Sequence, residues 1–184
     1  MDLRIERTKR SIINAFIEIR AKKPLEKITV KELSELAYIN KATFYSHYHD
    51  IYDLSEQLEE DAIANILNNI PHPDSIINNP RLCFIELNNA LSSQNSLTRI
   101  LFSDSRAAIL SSRIEQGIKQ RVFSNYPEYR DDVKWNSVLS FIIQGCFQTV
   151  HHFYTEEKNP GKKLEAAQII GDINECIVQN FLNI

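Results

Sequence analysis

Residues 38–54 read YINKATFYSHYHDIYDL, and four tyrosines, Phe44, His47 and His49 fall within that stretch. Whether these rings form a core, a metal site or a contact surface decides what kind of chain this is. Asn40 stands where a helix N-cap stands, with Lys41 opening the helix behind it. Asp50 can cap the next helix, with Asp53 at its N3 position. Only a brief helix fits between the two caps. Phe44 and Tyr48 lie four apart on one face and are predicted to pack inward as the core of this element. Lys41, Thr43, Tyr45, Ser46 and His49 project elsewhere. His47 and His49 are two apart, on different sides of a helix, so no metal site is expected.

Upstream, Ile12, Ile13, Phe16, Ile17 and Ile19 make a helical stripe inside roughly residues 2–22, closed by Lys23-Pro24. Thr29 precedes Glu32 by three, a capping-box spacing, and Leu33, Leu36 and Ala37 supply an apolar face. A short helix is therefore expected from about Val30 to Ala37. Tyr38-Ile39-Asn40 is a three-residue turn. Helix, short turn, short helix is a helix-turn-helix pattern, and small, hydroxyl and cationic side chains on its second helix suit a DNA major groove. The spacing alone equally admits an amphipathic helix of a bundle with an ordinary solvated face.

Composition agrees with helices throughout. Of 184 residues only four are Gly and six are Pro, and long segments carry a 3.6-residue apolar period. Cys83, Cys146 and Cys176 are odd in number and far apart, so a disulfide framework is not expected and a cytoplasmic location fits. No apolar leader follows Met1. The net charge of −3 is unevenly placed: residues 1–50 hold ten Lys/Arg against seven Asp/Glu, and the remainder eleven against seventeen. A basic amino end on an acidic body suggests that the first fifty residues face an anionic partner.

The stretch from Ile12 to Leu54 resembles the amino-terminal domain of the TetR/AcrR family of bacterial transcriptional regulators. That family shows an apolar first helix, a Thr opening helix two, and a pattern close to Ser-Lys-Gly-Thr-Leu-Tyr-x-x-Phe-x-x-Lys-x-x-Leu. This chain reads Asn40-Lys41-Ala42-Thr43-Phe44-Tyr45, then Tyr48, Ile51 and Leu54. The resemblance implies an all-α fold of about nine helices. Residues 1–50 would form a three-helix DNA-binding domain, a fourth helix over 51–70 would link, and 71–184 would bind an effector and pair with a second copy. It implies phosphate contacts from Thr29, Tyr45 and His47, and a groove-facing set of Lys41, Ala42, Thr43 and Ser46. Two departures stand out. Ala42 replaces a common Gly. Ile51 replaces a Lys that commonly meets a phosphate, leaving that contact to the amides at the start of helix four or to Lys9, Arg10 or Lys31.

Beyond residue 70, Pro71 and His72-Pro73-Asp74 break the chain, and 71–78 reads as a linker. Asn79-Pro80 opens a helix. A shorter one covers about 97–102, and Asp104 caps a longer one that ends at Tyr126-Pro127. Residues 135–155 contain no Lys, Arg, Asp or Glu. Asn136, Ser137, Gln144, Gln148, His151 and His152 interrupt the run, so a buried helix is favoured over a membrane span. Asn159-Pro160-Gly161 reads as a turn before an Ile-rich last helix running to Ile184. Two such helices exceed what one small domain covers. A second copy is the simplest cover, with Trp135, Ile142, Ile169, Ile173, Ile177 and Phe181 at the seam; a monomer whose other helices cover both is the alternative.

Phe84, Leu87, Phe102, Ile114, Phe147 and His151 are candidate walls for a pocket taking an apolar or amphipathic small molecule. His151-His152 reads equally as an ordinary buried or interfacial pair. Glu59-Glu60 and Glu156-Glu157 read as solvated faces. No G-x-G-x-x-G, P-loop, H-E-x-x-H or C-x-x-C occurs, so neither an enzyme nor a cofactor is expected. Two functions remain open: a ligand-released repressor bound to a palindromic DNA operator as a homodimer, and an interaction protein of the same fold that binds another protein.

Overall fold

The computed structural model describes residues 3–93, 96–103, 106–155 and 159–182; of 92, 150–155 and 160 only the backbone is described. Ten α-helices and no strand occur among the described residues. They are α1 (Leu3–Arg20), α2 (Val30–Leu36), α3 (Lys41–Tyr45), α4 (Ile51–Asn68), α5 (Ser75–Asn78), α6 (Pro80–Ser92), α7 (Ser96–Leu101), α8 (Ala107–Asn125), α9 (Val133–Thr155) and α10 (Pro160–Leu182). None is long and apolar enough to cross a membrane.

The chain forms two compact units, Met1–Ala62 with Asn95–Arg106, and Ile63–Gln94 with Ala107–Ile184. This division differs from the expected boundaries at residues 50 and 71. The first three turns of α4 belong to the first unit, and so does α7, which packs on α1. Such a long-range return of the chain leaves no local signal in composition or spacing.

In the first unit, Ile12, Phe16, Leu33, Phe44 and Leu54 are fully buried. They come from four helices and form one core, so the apolar stripes have a common destination. Ser11 Oγ donates to Ala37 O at 2.8 Å and ties α1 to the end of α2. Glu59, expected on a solvated face, is 1% exposed. It accepts from Ser55 Oγ at 2.8 Å and from Arg106 through two nitrogens, Nε at 2.7 Å and Nη2 at 2.5 Å. A carboxylate survives burial only with such partners. Its neighbour Glu60 is exposed, and Glu156-Glu157 lie outside the described residues.

In the second unit α10 packs on α6 and α9, and α8 packs on α9. The expected linker at 71–78 instead contains α5, with Ile76 and Ile77 buried. Asn79 caps α6 by accepting from Leu82 N at 3.1 Å. Helix α8 approaches the end of α4 at Gly117, where a Cβ would lie 2.3 Å from Leu67 Cδ1. Arg121 secures the same junction by donating to Leu67 O and to Asn68 Oδ1. Asp132 caps α9 by accepting from Trp135 N at 3.0 Å, and Trp135 stacks on Tyr129 at 3.9 Å between centroids. The expected turn at 159–161 is shorter than predicted, because Pro160 already occupies the first position of α10. Asp104, the expected cap of α8, lies outside the described residues.

Helix α9 was expected to be buried nearly all round. Within a single chain it is not: Ser137, Phe141, Gly145 and Gln148 lie exposed along one side, with Phe141 67% exposed. The absence of charge therefore produces one bare stripe rather than a fully enclosed helix.

Candidate nucleic-acid interface

The proposed reading element is built by three caps. Thr29 Oγ1 accepts from Glu32 N at 3.2 Å and starts α2. Asn40 Oδ1 accepts from Thr43 N at 2.7 Å and from Thr43 Oγ1 at 2.9 Å, starting α3. Asp50 Oδ1 accepts from Asp53 N at 2.8 Å and starts α4. Between α2 and α3 the chain turns through Tyr38, whose φ is 56°. Ile39 N donates to Ser34 O at 3.0 Å and Tyr38 N to Glu35 O at 3.3 Å. That pair of bonds is a Schellman closure, with Tyr38 in the left-handed position that glycine usually fills.

Phe44 and Tyr48 anchor α3 from beneath, at 0% and 5% exposure, with ring centroids 5.8 Å apart. Burial, then the nearby Asp53 and Asp61 carboxylates, push the Tyr48 phenol above its ordinary value, so it stays neutral. With that side held down, Lys41, Ala42, Tyr45 and Ser46 are exposed and Thr43 and His47 are half-buried. Thr29 and Lys31 on the start of α2 are also exposed. All eight sequence-nominated contact residues thus lie in the first unit.

The hydrogen bonds assign them different chemistry. Thr43 Oγ1 gives its proton to Asn40, and Ser46 Oγ gives its own to Thr43 O at 2.7 Å. Both hydroxyls therefore present acceptors, suited to the amino groups of cytosine or adenine. Lys41 and the Tyr45 hydroxyl carry donors with no protein partner among the described residues. Those donors suit phosphate oxygens or guanine.

Ile51 is 5% exposed and belongs to the core. The substitution noted in the sequence therefore puts an apolar side chain into a buried site. The amides at the start of α4 do not replace the missing cation freely. Asp53 N is held by Asp50, and Asp53 Oδ2 accepts from His49 N at 2.7 Å. The bond from His49, followed by that from Gln57, holds the Asp53 carboxyl below its ordinary value. Two carboxylates at this terminus disfavour a phosphate there. Lys9, Arg10 and Lys31 are exposed cations of the same unit.

The nominated pocket residues do not come together as one wall. Phe102 belongs to the first unit, and Phe84, Leu87, Ile114 and Phe147 are buried in the second. The side chain of His151 lies outside the described residues. Phe84 and Leu87 line a cavity of about 10 Å³ with Cys83, Cys146 and Asn174. That is room for one water-sized group. Burial raises both thiols, Cys83 to about 12 and Cys146 to about 11, so both are protonated at neutral pH.

Of the nominated seam residues, Trp135 and Ile142 are buried inside their own chain at 4% and 3% exposure. Ile177 is half-buried, while Ile169, Ile173 and Phe181 are each at least half exposed. Phe141 was not nominated, yet among the described side chains of α9 it is the most exposed aromatic. Its sequence signal was present: Ser137, Phe141 and Gly145 repeat every four residues.

No protein-family model matches the chain, and no curated protein matches it by sequence. Among solved structures it is similar to a TetR transcriptional regulator from Rhodococcus sp. RHA1, with a TM-score of 0.53 and 12% identity, over 95% of this chain and 97% of that one. The likeness spans both units, and the chain has the fold of a TetR-type regulator.

Proposed function

We propose that the protein is a DNA-binding transcriptional regulator that reads a palindromic operator as a homodimer. The observation that carries this reading is the division of α3 into a buried side and a bare one. Phe44 and Tyr48 hold it, and Lys41, Ala42, Tyr45 and Ser46 are left exposed. A helix of five residues is held only by its cap and its packing, and both fix α3 so that its other side stays bare. Rigid placement of a few side chains is what base reading requires. The excess of Lys/Arg over Asp/Glu in residues 1–50 supports an anionic partner.

Pairing through α9 and α10 supports the two-fold operator. Phe141, Ile169, Ile173 and Phe181 offer apolar surface on these neighbouring helices. Repression released by a small apolar or amphipathic ligand completes the reading. Such a ligand must favour the DNA-free state. The cavity beside Phe84 and Leu87, at about 10 Å³, would have to widen to admit it.

The test is selection of binding sites from random duplex DNA with the full-length protein. Recovery of an inverted repeat that resists nonspecific competitor supports the reading. Recovery of nothing at low salt overturns it and leaves the interaction-protein function.

A further inference from the structure

We propose that a groove on the first unit, between the end of α1 and α2, docks a partner-protein segment that presents an arginine beside an aliphatic side chain. The groove is open and has a volume of about 500 Å³. Ile19, Leu36 and Tyr38 form its apolar part, and Glu18, Lys22, Lys23, Glu32 and Glu35 its charged rim. Leu36 was expected to face the core. Instead it is 37% exposed here, and Tyr38 beside it is 93% exposed.

Charge selects the occupant. Lys22 pairs with Glu18 at 2.8 Å, and Lys23 pairs with Glu32. Both cations of the rim are therefore neutralised. Glu35 is exposed and has no ion pair among the described residues. The groove thus offers one uncompensated carboxylate, which repels a phosphate backbone and attracts a cation. DNA is consequently the wrong occupant, although the groove shares a unit with the proposed reading helix.

Aromatic chemistry narrows the cation. Tyr38 follows Glu35 by three, its amide donates to Glu35 O, and both residues line the groove. A guanidinium is planar; it can pair with a carboxylate and stack on a ring at once, which an ammonium does less well. Leu36 and the edge of Ile19 then suit a neighbouring aliphatic side chain. Backbone conformation points the same way. A non-glycine residue at φ 56° is strained. Tyr38 has almost no packing to offset that strain, since its ring is nearly bare. The two hydrogen bonds that close α2 hold the backbone in that conformation and leave the ring pointing to solvent.

The experiment pans a random-peptide display library against the full-length protein, then measures a selected synthetic peptide against variants. The expected peptides carry arginine within a few residues of Leu, Ile or Val. Glu35→Gln and Tyr38→Gly should each weaken binding about tenfold, as loss of an ion pair or a cation–π contact would. Tyr38→Gly should melt no lower than wild type, because glycine accepts the left-handed backbone, so lost binding would not reflect lost folding. A selected operator duplex should not displace the peptide. Selection of no peptide, peptides without arginine, binding to either variant as tight as to wild type, or displacement by duplex DNA would each overturn the proposal. Failure of operator selection alone would leave it standing.

Discussion

Arg106 grips Glu59 through two nitrogens, and Glu59 is 1% exposed while the Arg106 side chain is 24% exposed. The pair joins α4 to the segment just before α8 within the first unit. The hydrogen bonds to Glu59, ahead of the burial that opposes them, raise the Arg106 guanidinium further above its already high value.

Removing the cation alone should therefore be costly. Arg106→Leu leaves a buried carboxylate with only Ser55 as partner and should destabilise by about 3 kcal/mol, the low end for a buried pair because the guanidinium is partly solvated. The double replacement Glu59→Leu with Arg106→Leu should recover most of that loss. Urea melts of the two variants check it. Equal destabilisation of single and double variants would show that packing, not the stranded charge, dominates.

The exposed side of α3 should separate positioning from reading. Tyr45→Phe removes a neutral hydrogen bond and should weaken all operator sequences by about 0.5–1.5 kcal/mol. If Lys41 meets a base, Lys41→Ala should cost about 1–3 kcal/mol of discrimination at one position. If it meets phosphate, the loss should be uniform and the salt slope should fall by about one ion. Phe44→Ala should instead lower stability by about 3–5 kcal/mol, since Phe44 is fully buried. Operator affinity against salt, measured beside denaturation, distinguishes these outcomes.

Assembly should depend on residues that are bare in the single chain. Phe141→Asp and Ile173→Asp place charges at positions 67% and 50% exposed, so the isolated chain should still fold. A homodimer seam would bury them and should be lost. Sedimentation should give a dimer for wild type and a folded monomer for both variants. A wild-type monomer at micromolar concentration would remove the proposed pairing.

Acid should weaken the α8–α9 contact. Burial tends to raise the Glu115 carboxyl, but bonds from Ser140 at 2.5 Å, Gln144 at 2.7 Å and Lys119 at 2.9 Å outweigh it, and the net shift is downward from 4.5. A depressed folded value means that the unfolded chain binds the proton more readily. The contribution is therefore complete above about pH 5 and is lost as pH falls through the folded value. Melting temperatures of wild type and Glu115→Gln should converge on acidification from about pH 6 to about pH 3. Parallel curves would assign the acid response to other carboxylates.

The linear sequence was enough for the caps of the candidate reading element, though not for the short helix α5 inside the expected linker. Thr29, Asn40 and Asp50 cap their helices because each side-chain oxygen reaches an amide three residues on, and that spacing is visible in one dimension. Phe44 and Tyr48 share a face for the same reason. Tertiary structure decided what depends on distant returns of the chain. Glu59 looks like a surface acid until Arg106, 47 residues later, folds against it. Ile51 looks like a lost cation until the core is seen to enclose it. Trp135 and Phe141 both belong to the uncharged run 135–155, yet one is enclosed by its own chain and the other is bare. Periodicity specifies a side chain's angle around its helix, but only packed neighbours determine which angles are covered.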